Sequence, residues 1–371
     1  MAETSEAVDF SFSEEQEALR SAVRSFMESE CPGETCRALF EDDRGFTDAI
    51  WNQVVALGWT GLLVPEAQGG LGLGLVDLVV VMEEMGRVPF PGPFFSSSVL
   101  TTLAVRALGL EEQLASLASG ESRGSVALEE TGHGDVVDRV RTRASRKTGR
   151  WLLHGSKPIV IDGHTADWVL VVARTQNGLG TFLVESPEAQ AIPTWDLTRK
   201  IASMEFDGTD ARPVGFNGDH TALWRRVVDD ACIALCAELI GSSERAYQLA
   251  VDYAKNRVQF GRPIASFQVI KHKAVDMLRK LELSRVGTHY AAWASDVDDP
   301  IRAEAAAMAK AFVPEAANFI AGECIQIHGG VGFTWDSDAH VHYRKAKQND
   351  LLLGYNGIHR TRVADMVLAR V

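Results

Sequence analysis

Apolar residues recur at helical spacing through the first third of the chain, fall into short β-branched runs in the middle, and return to helical spacing to the end. Leu19, Ala22, Val23, Phe26 and Met27 form the first stripe. Ser13 followed by Gln16 supplies a capping box ahead of it, and Pro32 lies just past its end. Thr47 is placed to cap a second helix that turns Ile50, Val54 and Leu57 inward and stops at Gly58. A loop from Gly69 to Gly74 carries four glycines in six residues. Helix resumes from Val76 to Met85, ending at Gly86, and a further helix is expected from Ser98 to about Gly109.

Near Arg123 the pattern changes. Ser125–Leu128, Trp151–His154, Trp168–Ala173 and Thr181–Glu185 are short, β-branched or aromatic runs. Turn pairs such as Thr148-Gly149, Asp162-Gly163 and Asn177-Gly178 punctuate them, as in a sheet or small barrel. From Ala222 helices are expected over 222–258, 267–294, 302–326, 339–352 and 356–369, with Pro300 and Gly329-Gly330 as breaks. The chain therefore reads as α+β. A helical domain spans 1–121, a small β-barrel or sheet domain 122–220, and a C-terminal helical domain of four-helix-bundle type 221–371. No internal repeat interrupts this order.

Composition narrows the partners. With 371 residues, 46% of them hydrophobic and 23% charged, the chain is an ordinary globular protein able to bury a large core. A net charge of -13 argues against nucleic acid or an anionic membrane, so an anionic ligand needs local basic residues. The five cysteines (Cys31, Cys36, Cys232, Cys236, Cys324) show no metal-ligand spacing and read as buried free thiols in a reducing compartment. No metal site is expected. The N-terminus is acidic and polar, unlike a signal peptide, and no apolar run is long enough to span a bilayer. A cytoplasmic location follows as the expectation.

Three stretches carry the chemistry: Gly58-Trp59-Thr60-Gly61 through Gly69-Gly70-Leu71-Gly72 to Glu83-Glu84-Met85-Gly86; Arg257-Val258-Gln259-Phe260-Gly261 with Phe267-Gln268; and Gln326-Ile327-His328-Gly329-Gly330. In this order and spacing they resemble the acyl-CoA dehydrogenase superfamily across nearly the whole chain. The resemblance implies FAD as cofactor, an acyl-CoA thioester as substrate and electron-transfer flavoprotein as acceptor. It also implies that Arg257 reaches across an interface to the pyrophosphate of a neighbour's FAD, a task suited to a fixed charge with a fork of donors. Gln326, Gly329 and Gly330 would let backbone and amide groups approach the ADP half, with Phe260 and Gln268 lining the same site.

Elsewhere the chain departs from the family. The flavin-side stretch Ala-x-Thr-Glu-Pro-x-x-Gly-Ser-Asp becomes Ala127-Leu128-Glu129-Glu130-Thr131-Gly132-His133-Gly134-Asp135, and Lys-x-Trp-Ile-Thr-Asn becomes Lys157-Pro158-Ile159-Val160-Ile161-Asp162. Ile161 has no donor for the flavin hydrogen bond that the family's Thr makes. The family's Tyr-Glu-Gly-Thr base motif reads Tyr355-Asn356-Gly357-Ile358, and Asn356 cannot take a proton. In a second branch the Glu lies on the long helix before Arg257, a position that falls on Ala231 here. The neighbouring Asp230 is the candidate base, one residue or about 100° of helix away, with Glu238 a lesser one. Surface charge early in a helix is the plain alternative for Asp229 and Asp230. His340, His342, Arg344, Lys345 and Lys347 read as a solvated basic face, and Asp42-Asp43 and Glu83-Glu84 as surface charge. No chemistry is assigned to His328.

The lopsided pattern implies a non-catalytic or weakly catalytic subunit of an α2β2 heterotetramer, of the kind seen among actinobacterial dehydrogenases, completing a partner's FAD site. Three alternatives stay open. One is a homotetrameric dehydrogenase with a displaced carboxylate base. The others are an acyl-CoA oxidase or flavin monooxygenase of the same fold, and a scaffold without FAD.

Overall fold

The structure is a computed structural model and describes residues 12–370; the acidic N-terminal stretch read as unlike a signal peptide lies outside them. Helix α1 (Glu14–Glu30) opens on the expected capping box. Ser13 Oγ accepts the Gln16 N–H at 3.2 Å, and the Gln16 side chain accepts the Ser13 N–H at 3.1 Å. Helices α2 (Gly33–Ala38) and α3 (Asp48–Ala56) follow, the latter capped by Thr47, and α4 spans Leu75–Arg87. The helix expected from Ser98 starts earlier, as a wide π-helical turn over Phe94–Thr101 that runs into α5 (Thr102–Leu108). Hydroxyls explain the widening: Thr101 and Thr102 donate to the carbonyls five residues back, of Ser96 and Ser97. Helix α6 (Glu111–Ala118) completes this part.

Seven strands come next: β1 (Gly124–Ala127), β2 (Arg143–Lys147), β3 (Arg150–Ile161), β4 (Trp168–Thr175), β5 (Gly178–Glu185), β6 (Gln190–Ile192) and β7 (Ile201–Val214). The ladder β4-β2-β3-β7-β5 closes on itself through β4–β5 pairing, with β1 parallel to β4 and β6 on β7. Strand β4 is buried on both faces. Along β4, Val169, Val171 and Ala173 enter the barrel core, while Leu170 and Val172 face the helical core.

The C-terminal part holds α7 (Thr221–Asn256), a hairpin of β8 (Val258–Gln259) and β9 (Arg262–Pro263), α8 (Gln268–Asp296), α9 (Arg302–His328), α10 (Ala339–Leu351) and α11 (Asn356–Leu368). Helix α7 is the central pillar, and α4 crosses it where Gly86 and Gly241 meet. A Cβ on Gly241 would lie 1.8 Å from the Glu83 carbonyl oxygen, and one on Gly86 would lie 2.0 Å from that of Glu238. Backbone cannot yield there as a flexible side chain does. Gly241→Ala is expected to cost about 3 kcal/mol, read as a lower urea midpoint with unchanged far-UV signal; an unchanged midpoint would show that the crossing is loose.

Glu83 and Glu84, expected at the surface, are buried in this crossing. Arg24 takes Glu84 bidentately at 2.8 and 2.7 Å, and Arg285 donates to Glu83 at 2.9 Å. Asp42 and Asp43 are exposed as expected, and all five cysteines are free and buried. No helix among the described residues is long and apolar enough to cross a membrane.

Candidate functional site

The end of α7, the start of α8 and the end of α9 meet at one edge of the bundle. Tyr253 stacks on His328 at 4.4 Å, joining the Arg257 and Gln326 stretches, and a groove lined by Ala254, Lys255, Ala265, Ile270, Lys271 and Ile327 runs between the three ends. Arg257 leaves the helix here, its N–H still bonded to the Tyr253 carbonyl, and its guanidinium has no partner among the described residues. Phe260 holds a left-handed conformation at the tip of the β8–β9 turn and is 92% exposed. Gln268, Gln326, Gly329 and Gly330 are exposed as well. A side chain added at Gly329 or Gly330 would meet nothing within 4 Å. Unspent donors, exposed aromatics (Phe333 and Trp335 besides Phe260) and open backbone on an acidic chain suit an anionic nucleotide presented from outside. The ADP half of FAD fits this edge.

The isoalloxazine side is built differently. The two segments that would face the ring are fastened to each other. Ser125 Oγ donates to the Ile161 carbonyl at 2.6 Å, and Lys157 Nζ donates to the Leu128 carbonyl at 3.0 Å and to Glu130 at 2.6 Å. Glu129 and Ile159 pair through their backbones between these points. Lys157 is wholly buried, and desolvation lowers it to about 8 against the pull of Glu130. Ile161 is buried in the helical core. These residues offer apolar carbon and already-spent donors, which do not fit a flavin ring.

Of the base positions, Asn356 is half-buried, while Asp229, Asp230 and Glu238 are buried. Asn356 is the first residue of α11, its N–H bonded to Asp350 at 3.3 Å. Asp230 turns toward α8, where Ser295 Oγ donates to it at 2.5 Å, with Arg226 at 3.9 Å. Burial raises its carboxyl, opposed by the Ser295 bond. Asp229 faces α11 and pairs with Arg362 at 2.8 Å; burial pushes it up to about 6, again against its partner. Both aspartates are buried, correcting the surface reading, because α8 and α11 close over the start of α7.

Glu238 is buried among Arg199 at 2.5 Å, Lys345 at 2.9 Å and Asn349 at 2.7 Å. Despite desolvation, the two cations hold its carboxyl down at about 2, so it stays ionised and takes no proton near neutrality. This cluster also corrects the basic-face reading: His340, His342 and Lys345 are buried, because α10 packs Lys345 onto Glu238 and His342 onto Ser242.

A cleft between the loop after β1 and α11 is lined by Asp135, Asp138, Arg225, Tyr355, Arg362 and Asp365. Its two arginines are spent internally, Arg225 on Asp138 and Arg362 on Asp135 and Asp229. No free cation lines it among the described residues, so it is ill suited to the phosphates of CoA. The roles of Arg362 and Arg199 were invisible in the sequence. An arginine on a helix reads as surface until the carboxylates packed against it are known.

Comparison with known proteins adds the relatives. The family profile described as acyl-CoA dehydrogenase, N-terminal domain matches residues 13–121, and that for the C-terminal domain matches 224–368. The acyl-CoA dehydrogenase IpdE2 of Mycolicibacterium smegmatis is 32% identical over 92% of this chain and 95% of its own. Among solved structures, a variant of the Tcur3481-Tcur3483 steroid ACAD superposes with a TM-score of 0.87 at 29% identity, covering 96% of this chain and 98% of that one. The ChsE4-ChsE5 complex from Mycobacterium tuberculosis gives 0.88 at 28%, covering 97% and 99%.

Proposed function

The chain belongs to the acyl-CoA dehydrogenase family, oxidoreductases acting on CH–CH groups, and we propose that within it this chain is the subunit that completes a partner's FAD site and does not run one of its own. The observation that carries this reading is the contrast between its two half-sites. The nucleotide edge is exposed with its donors unspent, while the flavin-side donors are spent on internal bonds and the base position carries an amide that takes no proton.

In this role Arg257 would hold the pyrophosphate of the partner's FAD. Gln326, Gly329, Gly330, Phe260 and Gln268 would line the ADP half. Lys255 and Lys271 would add local positive charge on a chain of net -13. FAD supplies the hydride acceptor of the reaction, and the partner supplies the base and the acyl-CoA pocket. The two solved relatives carry two-part names, Tcur3481-Tcur3483 and ChsE4-ChsE5, which supports pairing with a second dehydrogenase chain in an α2β2 assembly. Electron-transfer flavoprotein as acceptor and a steroid-derived or other bulky acyl-CoA as substrate class belong to the same proposal.

Co-expression with a dehydrogenase chain that keeps the full base and flavin motifs tests the assembly. The expected product is a stoichiometric complex with the native mass of an α2β2 tetramer; a homotetramer of this chain beside a separate homotetramer of the other would contradict it. The homomeric alternative rests on Asp230, the raised carboxyl beside a cavity lined by Arg106, Arg226, Ser295 and Asp296. Asp230→Asn in the complex is expected to leave kcat within about twofold, because that carboxyl bonds Ser295 and not a reacting atom. Abolished turnover in a folded variant would transfer the base to this chain.

A further inference from the structure

One buried side chain on the flavin-side stretch bonds a loop far away in sequence. Glu129 stands where the family's flavin-side Thr stands, and it is buried. Its Oε1 accepts the backbone N–H of Leu353 at 3.0 Å, from the loop just ahead of Tyr355-Asn356-Gly357. Its Oε2 lies 3.8 Å from the guanidinium of Arg139, which also donates to the Gly132 carbonyl at 3.2 Å. One carboxylate thus ties together the loop after β1 and the loop between α10 and α11.

The tie is reciprocated. Leu353 has φ of 55°, a left-handed conformation that a leucine adopts only when its surroundings impose it. Its N–H is taken by Glu129, and its carbonyl accepts from His359 Nε2 at 3.0 Å. Lys310, wholly buried, donates to the carbonyls of Asn349 and Asp350 at 2.6 and 3.1 Å and so fixes the end of α10 beneath the same loop. Leu352 and Leu353 are buried, Val136 and Val137 are buried opposite, and a Cβ on Gly354 would lie 3.1 Å from the His359 ring. It is the carboxyl end of Glu129 that reaches the Leu353 N–H. Burial raises this carboxyl, and the Leu353 bond opposes that shift.

We propose that Glu129 is an internal plug: by latching the Leu353 amide it fills the place of the flavin ring in this chain's own site, so that the assembly carries one FAD for each pair of unlike chains. The inference rests on the reading of this chain as a partner-completing subunit, but it can fail separately. It concerns the blocked half of the site, and Arg257 concerns the working half.

The test uses the co-purified complex and the chain alone, with added FAD as the probe. Hydrogen exchange is followed by mass spectrometry on peptides covering residues 350–358, beside a flavin count from absorbance after denaturation. In the wild-type complex one FAD per pair is expected, with the Leu353 region protected and its exchange unchanged by excess FAD. Glu129→Ala removes the acceptor and should speed exchange of that peptide at least tenfold while peptides from α9 stay protected. Two FAD per pair, FAD-dependent protection of residues 350–358, or unchanged exchange in a folded Glu129→Ala chain would each overturn the plug. Should the variant fail to fold, the wild-type flavin count and its response to FAD decide alone. One FAD per pair together with an inert Arg257 substitution would leave the plug standing and sink the partner-completing role.

Discussion

Replacing Arg257 by alanine in this chain should strip FAD from its partner. Arg257 ends α7 with its guanidinium outward and without a partner among the described residues, so the substitution breaks no internal bond. A bidentate arginine–phosphate contact comprises two charge-assisted hydrogen bonds, and losing it costs about 3 kcal/mol, roughly a hundredfold in FAD affinity. The complex should still assemble with an unchanged melting temperature once saturated with FAD, but it should leave gel filtration depleted of flavin, and added FAD should restore turnover. Arg257→Lys keeps the charge and loses the fork, so partial retention is expected. Flavin occupancy unaffected by Arg257→Ala would place this edge outside the cofactor site.

The second large effect concerns stability. Among the described residues, Glu238 is the carboxylate that Arg199 and Lys345 share, with Asn349 donating to the same group and Asp196 lying 3.9 Å from Lys345. Glu238→Ala leaves two cations buried without their shared partner, and such a loss costs about 3–5 kcal/mol. The effect should carry a pH signature. An unfolded glutamate titrates near its ordinary 4.5, whereas the folded one is held down at about 2. Its contribution is therefore complete above 4.5 and drains away as pH falls through that window toward 2. Urea midpoints of wild type and Glu238→Ala should lie furthest apart near neutrality and converge on acidification. A gap that stays constant from about pH 7 to about pH 3.5 would show that packing, and not charge, makes the difference.

Much of the fold could be read from local chemistry. The Ser13–Gln16 box, the Thr47 cap and the long C-terminal helices depend on residues within one or two turns, and the structure places them within a few residues of expectation. Strand β7 escaped because Glu205, Asp207, Asp210 and Arg212 break the apolar pattern, though its partners β3 and β5 enforce extension from both sides. Glu83 and Glu84 misled because their neutralising arginines, Arg24 and Arg285, come from α1 and α8, far away in sequence. The same limit governs the site. The absence of a Thr at position 129 is visible in the sequence, but its bond to Leu353 spans the barrel and most of the C-terminal helices. The sequence therefore shows which family residues are missing, and only the fold shows that Glu129 bonds the loop ahead of α11.

The measurement that bears most directly on the central claim is the flavin content and acyl-CoA turnover of this chain purified by itself, beside the same chain purified with its partner. The chain alone is expected to be folded but colourless and without dehydrogenase activity, and the paired complex yellow and active. A lone chain that retains stoichiometric FAD and turns over acyl-CoA at a rate comparable to the complex would contradict it.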